Sequence, residues 1–297
     1  MTQFQIRKLS PSVGAEVQGV DLMGDVSADA WRQMCQAFDQ TGVLVFRDVN
    51  VDVASQHRVV ETLHYGGDMS KLGGINTESF GYVSNKEDDG GAPYGRLLYH
   101  VDMHWSEMPF QTPSLYGFEV EPGAAPTTFV NTVHSWKVLP DELKERVRGL
   151  TARHESGQQG RGDTSYEAEL IQPDWARPHD TITPIAMKHP RTGETMLYVC
   201  EQQTREIIGL PKSESDALLD TLFAHIYKPE LIIEHYWRTR DLVIWDNMSI
   251  QHSRYYVEGG GPVRTLRKIH APCNELKQYM AKLGDIPTYA EAEAILG

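Results

Sequence analysis

Cysteine is scarce in this chain and carries no pattern. Cys35, Cys200 and Cys273 are widely scattered and form no CxxC pair. That excludes a disulfide framework and a thiolate zinc site, and leaves free thiols of a reducing cytoplasm as the expectation. Long apolar runs are also missing. None approaches the roughly 20 residues that cross a bilayer, and Met1-Thr2-Gln3-Phe4-Gln5-Ile6-Arg7-Lys8 has no apolar region of a signal peptide, so no membrane partner is expected. Positive charge is short: 28 Lys and Arg face 41 Asp and Glu, a net −13 that makes a nucleic-acid footprint an unpromising reading. The acidic excess serves solubility. There is neither an internal repeat nor a low-complexity linker. The chain therefore reads as a single cytoplasmic domain over 1–297, with 40% hydrophobic residues to build its core and a small molecule as its partner.

Local patterns come next. Ser27 can cap a helix whose Trp31, Met34, Cys35 and Phe38 recur at helical spacing, with Gly42 ending it and Val43-Leu44-Val45-Phe46 following as a buried strand. A second helix is expected over Val53 to His64. A third starts near Pro140 with Leu143 and Val147 on its apolar face. A fourth follows Ser213, with Asp216 completing a capping-box-like pair and Leu218, Leu219, Leu222 and Ile226 as its stripe. Ser114 to Val120, Met196 to Cys200, Asp241 to Trp245 and Val263 to Ile269 read as strands. Many strands, outlying helices and no βαβ rhythm predict an antiparallel barrel or sandwich. Two stretches have no period: Ser84 to Gly95, and Glu155 to Thr181, which reads as a lid insertion over a site.

The chemistry concentrates in two distant segments, Tyr99-His100-Val101-Asp102-Met103-His104-Trp105 and Trp245-Asp246-Asn247-Met248-Ser249-Ile250-Gln251-His252. An His-x-Asp step with a remote His is the donor set of the 2-His-1-carboxylate facial triad, which holds non-haem Fe(II) and leaves open positions. Strand alternation would put residues 100, 102 and 104 on one side. His100 and Asp102 then share an ion with either His252 or the local rival His104.

These segments, with Gly14 to Leu22, Gly42 to Arg47, His189-Pro190-Arg191-Thr192-Gly193, Trp237 and Asp241 to Asn247, resemble the taurine dioxygenase/2,4-D dioxygenase family of Fe(II)- and 2-oxoglutarate-dependent oxygenases over nearly the whole chain. The resemblance implies a mainly β fold with flanking helices, a double-stranded β-helix of the jelly-roll, cupin-like kind. It implies His100, Asp102 and His252 as iron ligands. It also implies Thr128 as a hydrogen-bond partner of 2-oxoglutarate, with Thr127 as a one-residue shift of register. Two arginines four apart are the family's pattern after the distal histidine. Arg264 fits the first, near the anions of substrate and cosubstrate. The second, the grip on the distal carboxylate of 2-oxoglutarate, falls on Lys268, with Arg267 adjacent. Alternation favours Lys268, and the bidentate fork of an arginine favours Arg267.

By the same resemblance, Fe(II), 2-oxoglutarate and O2 are the cofactor and cosubstrates, succinate and CO2 are released, and a C–H bond of a small anionic molecule is hydroxylated. A homodimer or homotetramer is a family-level expectation. Asp246 and Asn247 are candidates to orient the ligands, or simply to make a turn. Two rival readings stand beside this one: a divalent-metal hydrolase using His100, Asp102 and His104, and a non-catalytic binding protein with a degenerate site.

Overall fold

The structure, a computed structural model, describes residues 3–72, 80–88, 90–109, 111–156 and 179–273. In chain order the elements are β1 (Gln5–Lys8), β2 (Ala15–Gln18), α1 (Ala28–Thr41), β3 (Val43–Phe46), α2 (Val53–His64), β4 (Gly81–Ser84), β5 (Gly95–His100), β6 (Thr112–Val120), β7 (Thr127–Asn131), α3 (Thr132–Val138), α4 (Asp141–Val147) and β8 (Thr151–Glu155). There follow β9 (Asp180–Pro184), β10 (Ala186–Lys188), β11 (Thr195–Leu197), β12 (Thr204–Ile207), α5 (Lys212–Ile226), β13 (Ile232–His235), β14 (Leu242–Trp245), β15 (Ile250–Val257) and β16 (Arg264–Ala271).

Local chemistry sets the first helices. The Ser27 side chain accepts from the Ala30 amide and satisfies one free N–H of the first turn of α1. Gly42 closes the helix at a left-handed φ of 73°, where a Cβ would also collide with Ile250. Asp52 caps α2 through the Ser55 amide.

Two sheets face each other. The larger has the order β1-β2-β3-β14-β6-β16-β4, and the smaller β13-β7-β15-β5. Alternation gives each sheet two buried faces. Val43, Val45, Leu115, Val243, Trp245 and Leu266 of the larger meet Phe129 and Ile250 of the smaller in the central core. Leu44, Phe46, Tyr116, Leu242 and Ile244 turn the other way, onto Met34, Phe38, Val59 and Leu63 of α1 and α2. Behind the smaller sheet, Tyr99 and Val130 pack with Leu219, Leu222 and Ile226 of α5. Leu219, Leu222 and Ile226 are each wholly buried, and removing such a side chain costs about 2–5 kcal/mol.

The expectations need adjustment in places. Strands β2 and β3 form a parallel pair joined by α1, so one βαβ unit sits inside an otherwise antiparallel scaffold. A helix that periodicity did not announce, α3, starts at Asn131, whose side chain accepts from the Val133 and His134 amides. Helix α5 begins after Pro211 without a side-chain cap, and Asp216 pairs with Lys212 rather than closing a box. Of the expected lid over Glu155 to Thr181, residues 157–178 lie outside the described residues, and its ends belong to strands β8 and β9.

Two buried histidines make stability depend on acid. The ring of His154 spans Thr204 and Thr183 hydroxyls at 3.0 and 2.8 Å, and burial, aided by Arg205, pushes its pKa down to about 3. Burial and Arg191 push His64 down to about 4. In the unfolded chain both protonate near 6.5. The unfolded state thus binds more protons between these values, so their contribution is complete above pH 6.5 and is lost as pH falls through 4 and 3. At pH 5 each is expected to have lost about 2 kcal/mol. Urea midpoints at pH 7.5 and pH 5 measure this; equal midpoints would contradict it.

Candidate active site

The distal pairing of β15 with β5 builds the site. His252 lies directly opposite His100, so both side chains leave the same face of the smaller sheet, toward the larger one. Their rings are 4.1 Å apart. Strand β5 ends at His100 and the chain turns at once, bringing Asp102 Oδ1 to 3.6 Å from His100 Nε2 and 3.8 Å from His252 Nε2. One donor atom from each of the three residues lies within 4.8 Å of the others, the one such cluster among the described residues.

Each donor is prepared. His100 Nδ1 donates to the Leu98 carbonyl at 2.8 Å, which orients the ring with Nε2 toward Asp102. Burial, reinforced by His100, holds His252 well below the usual imidazole range, so it is neutral and ligand-competent. Burial pushes the Asp102 carboxyl up, but Lys268, His100 and His270 outweigh it and hold it well below the usual carboxylate range. Lys268 Nζ donates to Asp102 Oδ2 at 2.9 Å, and His270 Nε2 stands 3.8 Å from the same oxygen.

His104 is not part of this cluster. The strand alternation that would have placed it there stops at His100, and residues 102–105 form a turn with Met103 at a positive φ of 56°. The imidazole instead packs on His154 at 3.9 Å, with Nδ1 3.2 Å from Cys200 Sγ.

The remaining predicted residues divide by strand face. On β16, Arg264, Lys268 and His270 share the face turned to the smaller sheet with Leu266. Arg267 is on the other face, stacked 4.8 Å over Tyr116 and donating to Gln56 Oε1 and the Val51 carbonyl. The structure does not bring Arg267 to the triad. Nor does it bring Thr128, whose hydroxyl meets Ser253 at 2.6 Å on the face away from His252. Thr127, opposite Arg254, shares the His252 face; its hydroxyl accepts from Arg264 and from Trp237 Nε1, each at 2.9 Å. The register thus puts Thr127, rather than Thr128, on the face that carries His252.

The profile of the taurine catabolism dioxygenase TauD, TfdA family matches residues 5–270. The chain belongs to the TauD/TfdA family. It is 28% identical over 265 residues to pentalenolactone F synthase of Streptomyces avermitilis, covering 82% of this chain and 86% of that protein. It is 26% identical over 275 residues to an alkylsulfatase of Acinetobacter baylyi, covering 90% and 84%. The crystal structure of AAD-2 with Mn(II) and N-oxalylglycine superposes with a TM-score of 0.71 at 23% identity, covering 91% of this chain and 98% of that one. The fold is accordingly the jelly roll of TauD-type dioxygenases, with flanking helices.

As a TauD/TfdA member the protein is a 2-oxoglutarate-dependent non-haem iron dioxygenase, using Fe(II), 2-oxoglutarate and O2. Its residues fit that metal: two imidazole nitrogens and one ionised carboxylate oxygen converge, the nitrogen and oxygen donor set of ferrous oxygenases. Bound there, iron supplies the redox chemistry that couples decarboxylation of the oxo acid to oxidation of a C–H bond.

Family landmarks that looked like sequence signatures prove to be supports. The Asn247 side chain accepts from the Asp102 amide at 2.9 Å and donates to the Asp102 carbonyl at 2.7 Å, holding the Asp102 backbone like a strand partner. His189 Nδ1 accepts from the Arg191 and Thr192 amides, so Nε2–H donates to Asp246. Arg191 joins the same carboxylate at 2.8 Å and reaches Asp39 of α1. Arg254 donates to the Ala92, Tyr94 and Gly95 carbonyls, pinning the glycine-rich run that leads into β5. His270 was the residue most accessible to sequence reasoning and was missed. It is two positions beyond Lys268 on the same strand face.

Proposed function

We propose that this enzyme hydroxylates a C–H bond of a small anionic organic molecule, converting it with 2-oxoglutarate and O2 to the alcohol, succinate and CO2, with His100, Asp102 and His252 holding the iron. We further assign the anchor of the cosubstrate's distal carboxylate to Arg264 with Thr127, rather than to Lys268, Arg267 or Thr128. One observation carries that choice. Arg264 is buried, and burial with neighbouring Arg254 lowers its pKa well below the usual guanidinium range. Among the described residues its side chain meets neutral groups: the Ala125 carbonyl, the Thr127 hydroxyl and the Trp237 ring. A buried cation without a counter-anion is expensive, and a carboxylate presented to its fork completes the arrangement.

Neither alternative cation stands in that position. Arg267 is spent on α2, and Lys268 on Asp102. The chain's own part is therefore to grip one end of the oxo acid, orient its other end toward the three donors and keep water away. The anionic substrate class rests on relatives that include an alkylsulfatase and a (S)-phenoxypropionate dioxygenase of Sphingobium herbicidovorans. Three buried cysteines without a disulfide suit a reducing, cytoplasmic setting.

Succinate release across a panel of sulfonates, sulfate esters and aryloxyalkanoates tests the substrate class; release with none of them would count against it. For the anchor, Arg264→Met is expected to weaken apparent 2-oxoglutarate affinity about 10²-fold, the ~2–3 kcal/mol of a charge-assisted contact, while Mn(II) binding persists. Arg267→Met should leave cosubstrate affinity nearly unchanged. A reversed ranking of the two variants would overturn the assignment.

A further inference from the structure

We propose that Lys268 is a positioning residue for the metal carboxylate: it holds the outer oxygen of Asp102 so that only the inner oxygen is presented to iron. This rests on the metal-site reading above. Asp102 divides its oxygens cleanly. Oδ1 faces His100 and His252 at 3.6 and 3.8 Å, and Oδ2 receives Lys268 at 2.9 Å with His270 at 3.8 Å. The backbone of Asp102 is fixed independently, by Asn247 on its amide and carbonyl. With the main chain held, the torsion of the carboxylate is the remaining freedom, and Lys268 sets it.

The residue type matters here. An ammonium is a point charge that can occupy one carboxylate oxygen and leave its neighbour open. A guanidinium fork tends to engage both oxygens at once, and at this place it would compete with the ion for Oδ1. A carboxylate that offers one oxygen takes one coordination position. A carboxylate free to rotate can offer two, and then narrows the open half of the shell that the oxo acid and O2 need. Lysine at 268, where the family pattern has arginine, is thus matched to a role on the ligand rather than on the cosubstrate. The Lys268 side chain is 26% exposed, so replacing it leaves the central core undisturbed.

The test uses the full chain, anaerobic, with wild type, Lys268→Met and Lys268→Arg. Binding of Mn(II) alone is titrated first. Visible charge-transfer absorption is then recorded at saturating Fe(II) and 2-oxoglutarate, with thermal melting as the fold check. The expected result is a 10- to 100-fold loss of Mn(II) affinity in Lys268→Met, the range for lost outer contacts to a metal ligand. Its absorption band should shift in position, and its affinity for 2-oxoglutarate at saturating metal should stay within about 3-fold of wild type. Lys268→Arg should not restore metal affinity.

Unchanged or tighter Mn(II) binding in Lys268→Met overturns the proposal, because the ammonium would then act only by repelling the ion. So does full rescue by arginine, which would make charge alone sufficient, and so does a loss confined to 2-oxoglutarate affinity. Failure of the underlying site looks different: wild type itself would bind Mn(II) no better than His252→Ala.

Discussion

Replacing His252 with alanine is expected to abolish Fe(II) binding and cut succinate formation at least ~10³-fold, about 4 kcal/mol of lost transition-state stabilisation, without unfolding the protein. The two effects separate because of how the imidazole is held. His252 is buried against Phe129 and Trp245, and its Nδ1 has no hydrogen-bond partner among the described residues. Truncation therefore orphans no polar group and leaves only a cavity, so melting should fall by the modest amount of a core truncation. His104→Ala provides the contrast. That imidazole lies against His154 and Cys200, outside the triad, so metal affinity should survive its loss. Isothermal titration with Mn(II) under identical buffer conditions compares the two. Were His104→Ala to abolish binding and His252→Ala to spare it, the hydrolase reading with its three local ligands would be correct.

The contrast also shows where a sequence stops informing. Helices α1 and α2 and strand β14 were legible because their signals are local: Ser27 and Gly42 bracket α1, and Leu242-Val243-Ile244-Trp245 is a continuous apolar run. Strand β15 was not legible, although it carries His252. Its Gln251, His252, Ser253 and Arg254 are polar and all buried, and Gln251 and Arg254 donate to distant carbonyls, those of Val199, Ala92 and Gly95. Strand-like hydrophobic alternation cannot appear where the buried face is built from polar groups.

Register was hidden for a related reason. Whether Thr127 or Thr128 faces the site depends on the pairing of β7 with β15, more than 120 residues away. A slip of one position exchanges the faces. Alternation did predict correctly that Arg264 and Lys268 share a side opposite Arg267, since β16 keeps its own parity through the irregularity opposite Gly117. It failed at His104 because the strand had already ended. What each cation then touches, Asp102 for Lys268 and Thr127 for Arg264, is a long-range outcome that no spacing rule contains.

The turn that delivers His252 should be the most fragile point of the scaffold. Asp246 is buried between β14 and β15, and its Oδ1 accepts from the Met248 and Ser249 amides at 3.0 and 3.2 Å. His189 Nε2 and Arg191 meet its Oδ2 at 2.9 and 2.8 Å. Burial pushes the carboxyl up, but His189, Arg191 and the Ser249 amide outweigh it and keep the pKa lowered. Arg191 continues to Asp39 of α1 and to the His64 carbonyl at the end of α2, so one carboxylate ties both helices to the turn before His252. Removing it takes one of two carboxylates from the partly buried Arg191 and leaves His189 and two turn amides without their acceptor, and breaking a buried pair from one side costs about 3–5 kcal/mol. That is a large part of the roughly 5–15 kcal/mol that holds a domain folded. Asp246→Ala is therefore expected to shift the urea midpoint far down, and Asp246→Asn, which keeps an acceptor for the turn amides, by about 1–2 kcal/mol. The pairing with Arg191 is isolated by a double-mutant cycle with Arg191→Met, in which the coupled loss should be smaller than the sum of the single losses. Additive losses would mean that the carboxylate acts only as a cap of the turn, and that the link from the helices to His252 carries no weight.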